Sequence, residues 1–299
     1  MSDPRDHGSP PCPCCAGEHS TPWLERGGLR YLRCAGCGHG WLDPLPEPGT
    51  LREIFGKEYF EGGREGGYFR YELDESGHRK TARRRLAFLR SLGLRPPGEM
   101  IEIGPAYGFF LEEAWLQGWR VHGVELSDHA RAKAALRAPG YLVASPEELP
   151  GRLRGACQAV LLFQVLAHLR EPERMLAEIR PFLAPRGVLV CETWNAESSI
   201  ARLFGRMWQQ VSPPAVQHLF GERSLREILR RTGFKLRSFK PWGKTVSLSF
   251  ALGTAAGRLG WTSLGARLAD SPLRRIPIPY GFGDLVVAVA EPDSPKSAS

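Results

Sequence analysis

Met100-Ile101-Glu102-Ile103-Gly104-Pro105-Ala106-Tyr107-Gly108 is the stretch that decides how this 299-residue chain folds. Its first four residues read as a strand, and the small residues at 104, 106 and 108 let the backbone turn sharply and approach a ligand. Phe109 to Gln117 follows with helical spacing, so the loop ends at a helix N-terminus whose unpaired N–H groups face any anionic ligand. Gly123-Val124-Glu125-Leu126-Ser127 then places a carboxylate at the end of the next expected strand, 21 residues beyond Gly104. A carboxylate there accepts both hydroxyls of a ribose, so the two stretches together predict a nucleoside-cofactor site.

Outward from this unit, short apolar runs alternate with amphipathic stretches. Met100–Ile103, Val121–Glu125, Tyr141–Ala144, Ala159–Phe163 and Val188–Glu192 read as strands, and Phe109–Gln117, Asp128–Arg137 and Pro172–Leu183 read as helices. Parallel neighbours need a crossover element between them, so this rhythm predicts an α/β fold with a doubly wound, mostly parallel sheet. After the fifth strand the rhythm breaks into a long insertion, residues 194–221. A helix over Ser224–Arg231, a strand around Phe234–Trp242, a Gly/Ala-rich helical stretch and a last strand, Leu285–Ala290, complete the pattern.

The first 45 residues are different. Apolar residues there are too sparse to build a core, and Gly and Pro are frequent, so something must staple the segment. Cys12 and Cys15 are two residues apart, as are Cys34 and Cys37, with 18 residues between the pairs, the spacing of a four-cysteine zinc ribbon. A closed four-thiolate shell has no open position, so the expected zinc is structural. Cys14 competes with Cys15 as a ligand, and His39 is expected at the surface. The proline-rich connector Asp43–Gly49 marks a boundary, giving a ribbon over 1–45, a helical connecting segment over 46–95, the α/β domain over 96–292 and a disordered tail over 293–299. Tyr59, Phe60, Tyr68, Phe69 and Tyr71 in the connecting segment are expected either as a lid over the cofactor or as core packing.

Composition bounds the rest. At 42% apolar and 24% charged the chain is globular rather than disordered or fibrous. Its longest apolar stretches are too short for a membrane span, and its polar start has no signal-like apolar region, so a cytoplasmic location is expected. The net charge of +8 arises from 33 arginines and 7 lysines against 32 acids. Arg79, Lys80, Arg83, Arg84, Arg85, Arg90 and Arg95 form a run without any acid, whereas the ribbon has four arginines against five acids and cannot make the dense phosphate contacts that nucleic-acid binding needs.

Glu102 to Gly108, Gly123 to Ser127, Glu147-Glu148-Leu149-Pro150, Val165 to Leu169 and Leu183 to Leu189 together resemble the class I S-adenosylmethionine-dependent methyltransferases with a seven-stranded Rossmann-like sheet. The subfamily it resembles carries a zinc ribbon before the catalytic domain and a Trp, His and Gly-Phe pattern after the fifth strand, here Trp208, His218 and Gly233-Phe234. The resemblance implies an enzyme that binds S-adenosylmethionine and methylates a small molecule at oxygen or carbon: a sugar, a lipid or another metabolite. It places Gly104, Ala106 and Gly108 beside the methionine part of the cofactor, Glu125 on the ribose, Leu126 against the adenine, and Phe163 with Gln164 below the sulfonium. Glu102, Glu148 and Leu149 complete the implied cofactor set. Ala106 stands for a usual glycine, Ala144 and Ser145 where an Asp often contacts adenine, and Ala167 for the Glu of a common Glu-His pair.

Methyl transfer is an in-line displacement that owes much of its rate to positioning, and a base is needed only for a hydroxyl or carbon acid. His218 in the insertion and His168 after the fourth strand are the candidate bases, each with the alternative of a structural anchor. The insertion is expected to form the acceptor side of the site, because ligands bind outside the carboxyl ends of the strands in such sheets. The rival functions are an RNA methyltransferase using the basic helix, a pyridine-nucleotide enzyme, and a non-catalytic scaffold that retains the cofactor fold.

Overall fold

The computed structural model describes residues 10–61, 71–258, 261–269 and 271–293; Tyr68, Phe69 and the expected tail from 294 lie outside the described residues. Strands β1 (Ser20–Arg26), β2 (Leu29–Cys34) and β3 (Gly40–Asp43) form an antiparallel meander at the N-terminus. Two short helices, Pro48–Ile54 and Lys57–Glu61, and a long one, Glu75–Ser91, lead into the α/β unit.

The central sheet contains β4 (Glu99–Ile103), β5 (Arg120–Val124), β6 (Leu142–Val143), β7 (Cys157–Phe163) and β8 (Leu183–Trp194) as parallel neighbours, in the order β6-β5-β4-β7-β8. Beyond a two-residue strand β9 (His218–Leu219), β10 (Phe234–Pro241) is followed by a two-stranded antiparallel ribbon, β11 (Lys244–Ser247) with β12 (Pro277–Tyr280), whose strands are joined through the helical pair Leu248–Arg258 and Thr262–Ala269. The last strand, β13 (Leu285–Pro292), slots antiparallel between β8 and β10 and completes seven strands.

Side-chain alternation along the strands builds the two buried faces. Ile101, Val160, Leu162, Leu189 and Cys191 pack under the helices Pro172–Ile179 and Glu222–Arg231, whose Leu176, Ile179, Leu225 and Ile228 meet them. Met100, Ala159, Leu161, Val188 and Val190 point the other way, onto Ala82, Leu86 and Leu89 of the Glu75–Ser91 helix and Phe110, Leu111 and Ala114 of the Phe109–Leu116 helix. The register on this second face continues to Glu102, Phe163 and Glu192, so the same alternation that makes the core delivers polar groups at the carboxyl ends of the strands.

The boundaries differ locally from the sequence expectation. The helix expected over Pro172–Leu183 ends at Ile179, because Pro181 lacks an N–H and a single tight turn over Arg180–Phe182 leads straight into β8. The insertion after β8 is partly ordered as a helix, Ser199–Phe204, capped by the Ser198 hydroxyl accepting the Ala201 N–H at 3.1 Å. Its strand β9 pairs with β3, so the N-terminal sheet has the order β1-β2-β3-β9 and is completed by residues almost 180 positions away.

Candidate active site

The loop after β4 turns on two glycines. Gly104 has φ +68° and a Cβ there would meet Val165 Cγ2 at 2.5 Å; Gly108 has φ +81° and a Cβ would meet the Ala134 backbone at 3.0 Å. Ala106 also lies in the left-handed region, φ +51°, at a cost of about 1 kcal/mol. Its N–H donates to Glu125 Oε2 at 3.0 Å, and the Ser127 N–H donates to Glu125 Oε1 at 2.9 Å. The carboxylate thus ties the glycine loop to the turn after β5, with the remaining lone pairs of both oxygens available to hydroxyl donors. Burial pushes its pKa up to about 7, against the pull of the two N–H donors. Beside it Leu126, Ser127, Asp128, His129, Arg52, Gly56 and Lys57 line a cavity of about 220 Å³. Phe60 stacks on Tyr107 and Tyr71 meets both rings edge-on, so the described aromatic residues of the connecting segment cover this loop.

Glu148 is exposed and organises the turn after β6, its carboxylate accepting the Ala144 N–H at 3.4 Å and the Ser145 hydroxyl at 3.2 Å. Leu149, by contrast, is buried in the core. Phe163 ends β7 and Gln164 follows it. Gln164 adopts φ +62°, and its side chain bridges two groups: Nε2 donates to Glu192 Oε1 at 2.7 Å, and Oε1 accepts from Lys244 Nζ at 3.2 Å. Arg85 forks onto both oxygens of Glu192 at 2.9 and 3.0 Å while stacking over the Phe163 ring at 4.0 Å. Lys244 lies over Trp194 at 4.9 Å, and burial pulls its pKa down to about 8. Glu102 faces the same cluster; burial lifts its pKa to about 8, and its Oε2 has no hydrogen-bond partner among the described residues. A buried carboxyl held near neutrality is a poised polar group at the mouth of the glycine loop.

Arg85, Glu192 and Lys244 escaped the sequence reading. Arg85 looks like one more member of a basic run, and Lys244 sits in a stretch with no motif. Only Glu192 carried a signal, as an acid ending an otherwise apolar strand in the same register as Glu102.

The sequence profile of the methyltransferase domain family matches residues 73–238, more than half of the chain. The chain belongs to the methyltransferase domain family. It is an S-adenosylmethionine-dependent methyltransferase with a seven-stranded Rossmann-like sheet. No curated protein matches it significantly. Among solved structures it is similar to magnesium protoporphyrin IX methyltransferase from Synechocystis with bound S-adenosylhomocysteine, at 14% identity and TM-score 0.52 over 83% of this chain and 100% of that one. It is also similar to a Burkholderia thailandensis 1,6-didemethyltoxoflavin N1-methyltransferase with bound 1,6-didemethyltoxoflavin and S-adenosylhomocysteine, at 17% identity and TM-score 0.51 over 91% and 99%. At these identities the likeness is one of fold.

The two candidate bases of the methyltransferase, His168 and His218, occupy different surroundings. His168 lies at the carboxyl edge just after Gln164, with Nδ1 2.7 Å from the Ala215 carbonyl and Phe55 edge-on at 5.5 Å. A carbonyl only accepts, so Nδ1 carries the hydrogen and Nε2 keeps its lone pair; burial lowers the pKa and favours this neutral form. His218 is buried in β9, its Nδ1 3.0 Å from His39 Nε2, and burial drops its pKa to about 4. His39 is fully buried rather than at the surface, stacked between Trp41, Phe220 and His218, because β9 covers the β3 edge. Trp208, Val211, Val216 and Gln217 are likewise buried, whereas Phe204 and Met207 face solvent, so the insertion's apolar residues divide between a joint and the surface instead of lining one pocket.

That joint is built by the N-terminal sheet. The Leu42 N–H donates to the Gln217 carbonyl at 2.8 Å, Tyr31 Oη to the Val216 carbonyl at 2.6 Å and Arg26 to the Val211 carbonyl at 3.0 Å. Gln217 N–H in turn donates to the Ala167 carbonyl at 2.8 Å, one residue from His168. The sulfurs of Cys12, Cys15, Cys34 and Cys37 all lie within 4.8 Å of one another, with Cys12 and Cys37 3.6 Å apart and Cys15 and Cys34 3.5 Å apart. Tetrahedral zinc with bonds of about 2.3 Å needs sulfurs about 3.8 Å apart, so the cluster fits that ion. The Cys14 N–H donates to Cys12 Sγ and the Cys37 N–H to Cys34 Sγ, bonds that favour thiolates. The Cys14 sulfur is not one of the four.

Proposed function

We propose that the protein methylates a small-molecule acceptor at oxygen or carbon, with His168 as the base where a proton must leave. The observation that carries this reading is the fate of the basic helix. Arg79 is bound by Glu75, Glu112 and Glu113, Arg83 by Glu113, and Arg85 by Glu192. Acids from its own first turn, from the following helix and from β8 pair three of the seven cations of the run, which leaves it fewer charges for RNA phosphates, and the pairs hold the helix over the sheet.

When bound, S-adenosylmethionine supplies an electrophilic methyl on a sulfonium. Glu125 accepts the ribose hydroxyls, the cavity beside Leu126 receives the adenine, Gly104 to Gly108 follow the methionine part, and Glu102 faces its polar end. Glu148 shapes the turn at Ala144 and Ser145, Leu149 backs it from the core, and Phe163 with Gln164 forms the floor. Gln164, Glu192, Lys244 and the Trp194 ring give the acceptor side both hydrogen-bonding groups and an aromatic wall. His168 takes a proton at Nε2 while Nδ1–H stays on the Ala215 carbonyl, a neutral base oriented before the acceptor arrives. Cys12, Cys15, Cys34 and Cys37 hold a structural zinc that fixes the joint around His218 and, through Gln217, the position of His168.

The test is transfer of labelled methyl from S-adenosylmethionine into a metabolite extract and, separately, into total RNA. Label in a low-molecular-mass fraction is expected. His168→Gln should lower that rate by roughly 100-fold or more, the usual contribution of a positioned base, with cofactor affinity unchanged. Label in RNA alone would refute the acceptor class.

A further inference from the structure

The carboxyl edge of the sheet carries two appended segments, and both are unusual on their outer side. β10 runs in the direction of β8, since each pairs antiparallel with β13. Residues 195–221 therefore leave β8, and residues 242–284 leave β10, at the edge where the cofactor loop lies. The two segments meet, since Trp208 Nε1 donates to Asp284 Oδ2 at 3.0 Å and the Asn195 N–H donates to the Asp284 carbonyl at 2.7 Å.

Of thirteen large apolar side chains exposed among the described residues, eight belong to these segments. Leu203 (77% exposed), Phe204 and Met207 project from the insertion; Trp261 (58%), Leu264 and Phe282 (65%) project from the helical pair and the loop after β12. A monomer rarely leaves apolar groups so concentrated without a use. Charge sharpens the pattern. Residues 195–221 and 242–284 contain six arginines and the half-buried Lys244 against Glu197, Asp270 and Asp284, so they hold four of the eight net positive charges of the whole chain.

We propose that this face docks on an anionic lipid bilayer surface. Trp, Phe, Leu and Met enter the headgroup boundary, and arginines such as Arg202 and Arg206, which flank the exposed Leu203, Phe204 and Met207, face the lipid phosphates. No described helix is long and apolar enough to cross a membrane, so the attachment is peripheral. The surface stands apart from the acceptor chemistry proposed above, and cofactor binding does not depend on it.

The experiment is flotation of the purified full-length protein with vesicles of phosphatidylcholine alone and of phosphatidylcholine with one-third phosphatidylglycerol. Binding to the anionic vesicles and weak binding to the neutral ones are expected, with a decline at high salt. Each surface arginine contributes about fivefold, so Arg202→Glu/Arg206→Glu should weaken partitioning by at least roughly 25-fold. Leu203→Ser/Phe204→Ser should weaken it even at low salt. Calorimetry with S-adenosylmethionine on the same variants should show unchanged affinity, so failure of the docking is distinguishable from failure of the enzyme reading. Absence of wild-type binding to anionic vesicles, or variants that bind as the wild type does, would overturn the proposal. So would a dimer in sedimentation that Leu203→Ser/Phe204→Ser dissolves, because the face then belongs to a second copy of the chain.

Discussion

Glu125→Gln is the sharpest perturbation of the cofactor site. In the wild type each carboxylate oxygen accepts one backbone N–H, from Ala106 or Ser127, at about 3 Å and retains a lone pair for a ribose hydroxyl. The amide keeps one acceptor oxygen; its NH2 turns a donor toward whichever backbone N–H it faces, and at least one hydroxyl loses its charged partner. A hydrogen bond to a charged group contributes about 1.5 to 3 kcal/mol, so S-adenosylmethionine affinity should fall by about 10- to 150-fold. The pH dependence supplies a second readout. The folded-state pKa of about 7 lies above the ordinary value of 4.5, so the free protein holds this proton more tightly than the unfolded chain does, and the group's effect is to lower stability as pH rises across that interval. Cofactor binding needs the ionised form, so wild-type affinity should rise as pH climbs from 6 through about 7 and then level off, while the glutamine variant loses this rise. Isothermal titration at three pH values measures both. Equal affinity and an equal pH profile in the two proteins would show that the ribose lies elsewhere.

Removing the metal should act at a distance. Cys34→Ser or a strong chelator should abolish zinc content and raise hydrogen exchange at residues 205–220, which hang from Arg26, Tyr31 and Leu42, while S-adenosylmethionine still binds. Unchanged exchange would mean the joint does not depend on the ribbon. Arg85→Met leaves Glu192, 1% exposed, without its forked partner, a loss of about 3 to 5 kcal/mol in urea unfolding, and Arg85→Met/Glu192→Met should recover much of it. A single variant as stable as wild type would refute the buried pair.

The amino-acid sequence by itself determined the α/β class, the glycine loop and Glu125 at the ends of two successive strands, and the spacing of the four cysteines, because these depend on local periodicity and on spacings within one turn or one crossover. Gly104, Gly108 and Glu125 were legible since each must satisfy a backbone or ligand requirement that few residue types meet. Tertiary structure decided the rest. His218 and His39 are 179 positions apart and meet only because β9 completes the edge of β3. Arg85 becomes part of the site rather than of a basic surface because the strand alternation places Glu192 beneath it. Lys244 reaches Gln164 because a two-stranded ribbon inserted between β10 and β13 folds back over the carboxyl edge. Such contacts leave no periodic trace in the chain: each depends on which elements become neighbours, and that is set by the summed packing of the two sheet faces rather than by any residue in it.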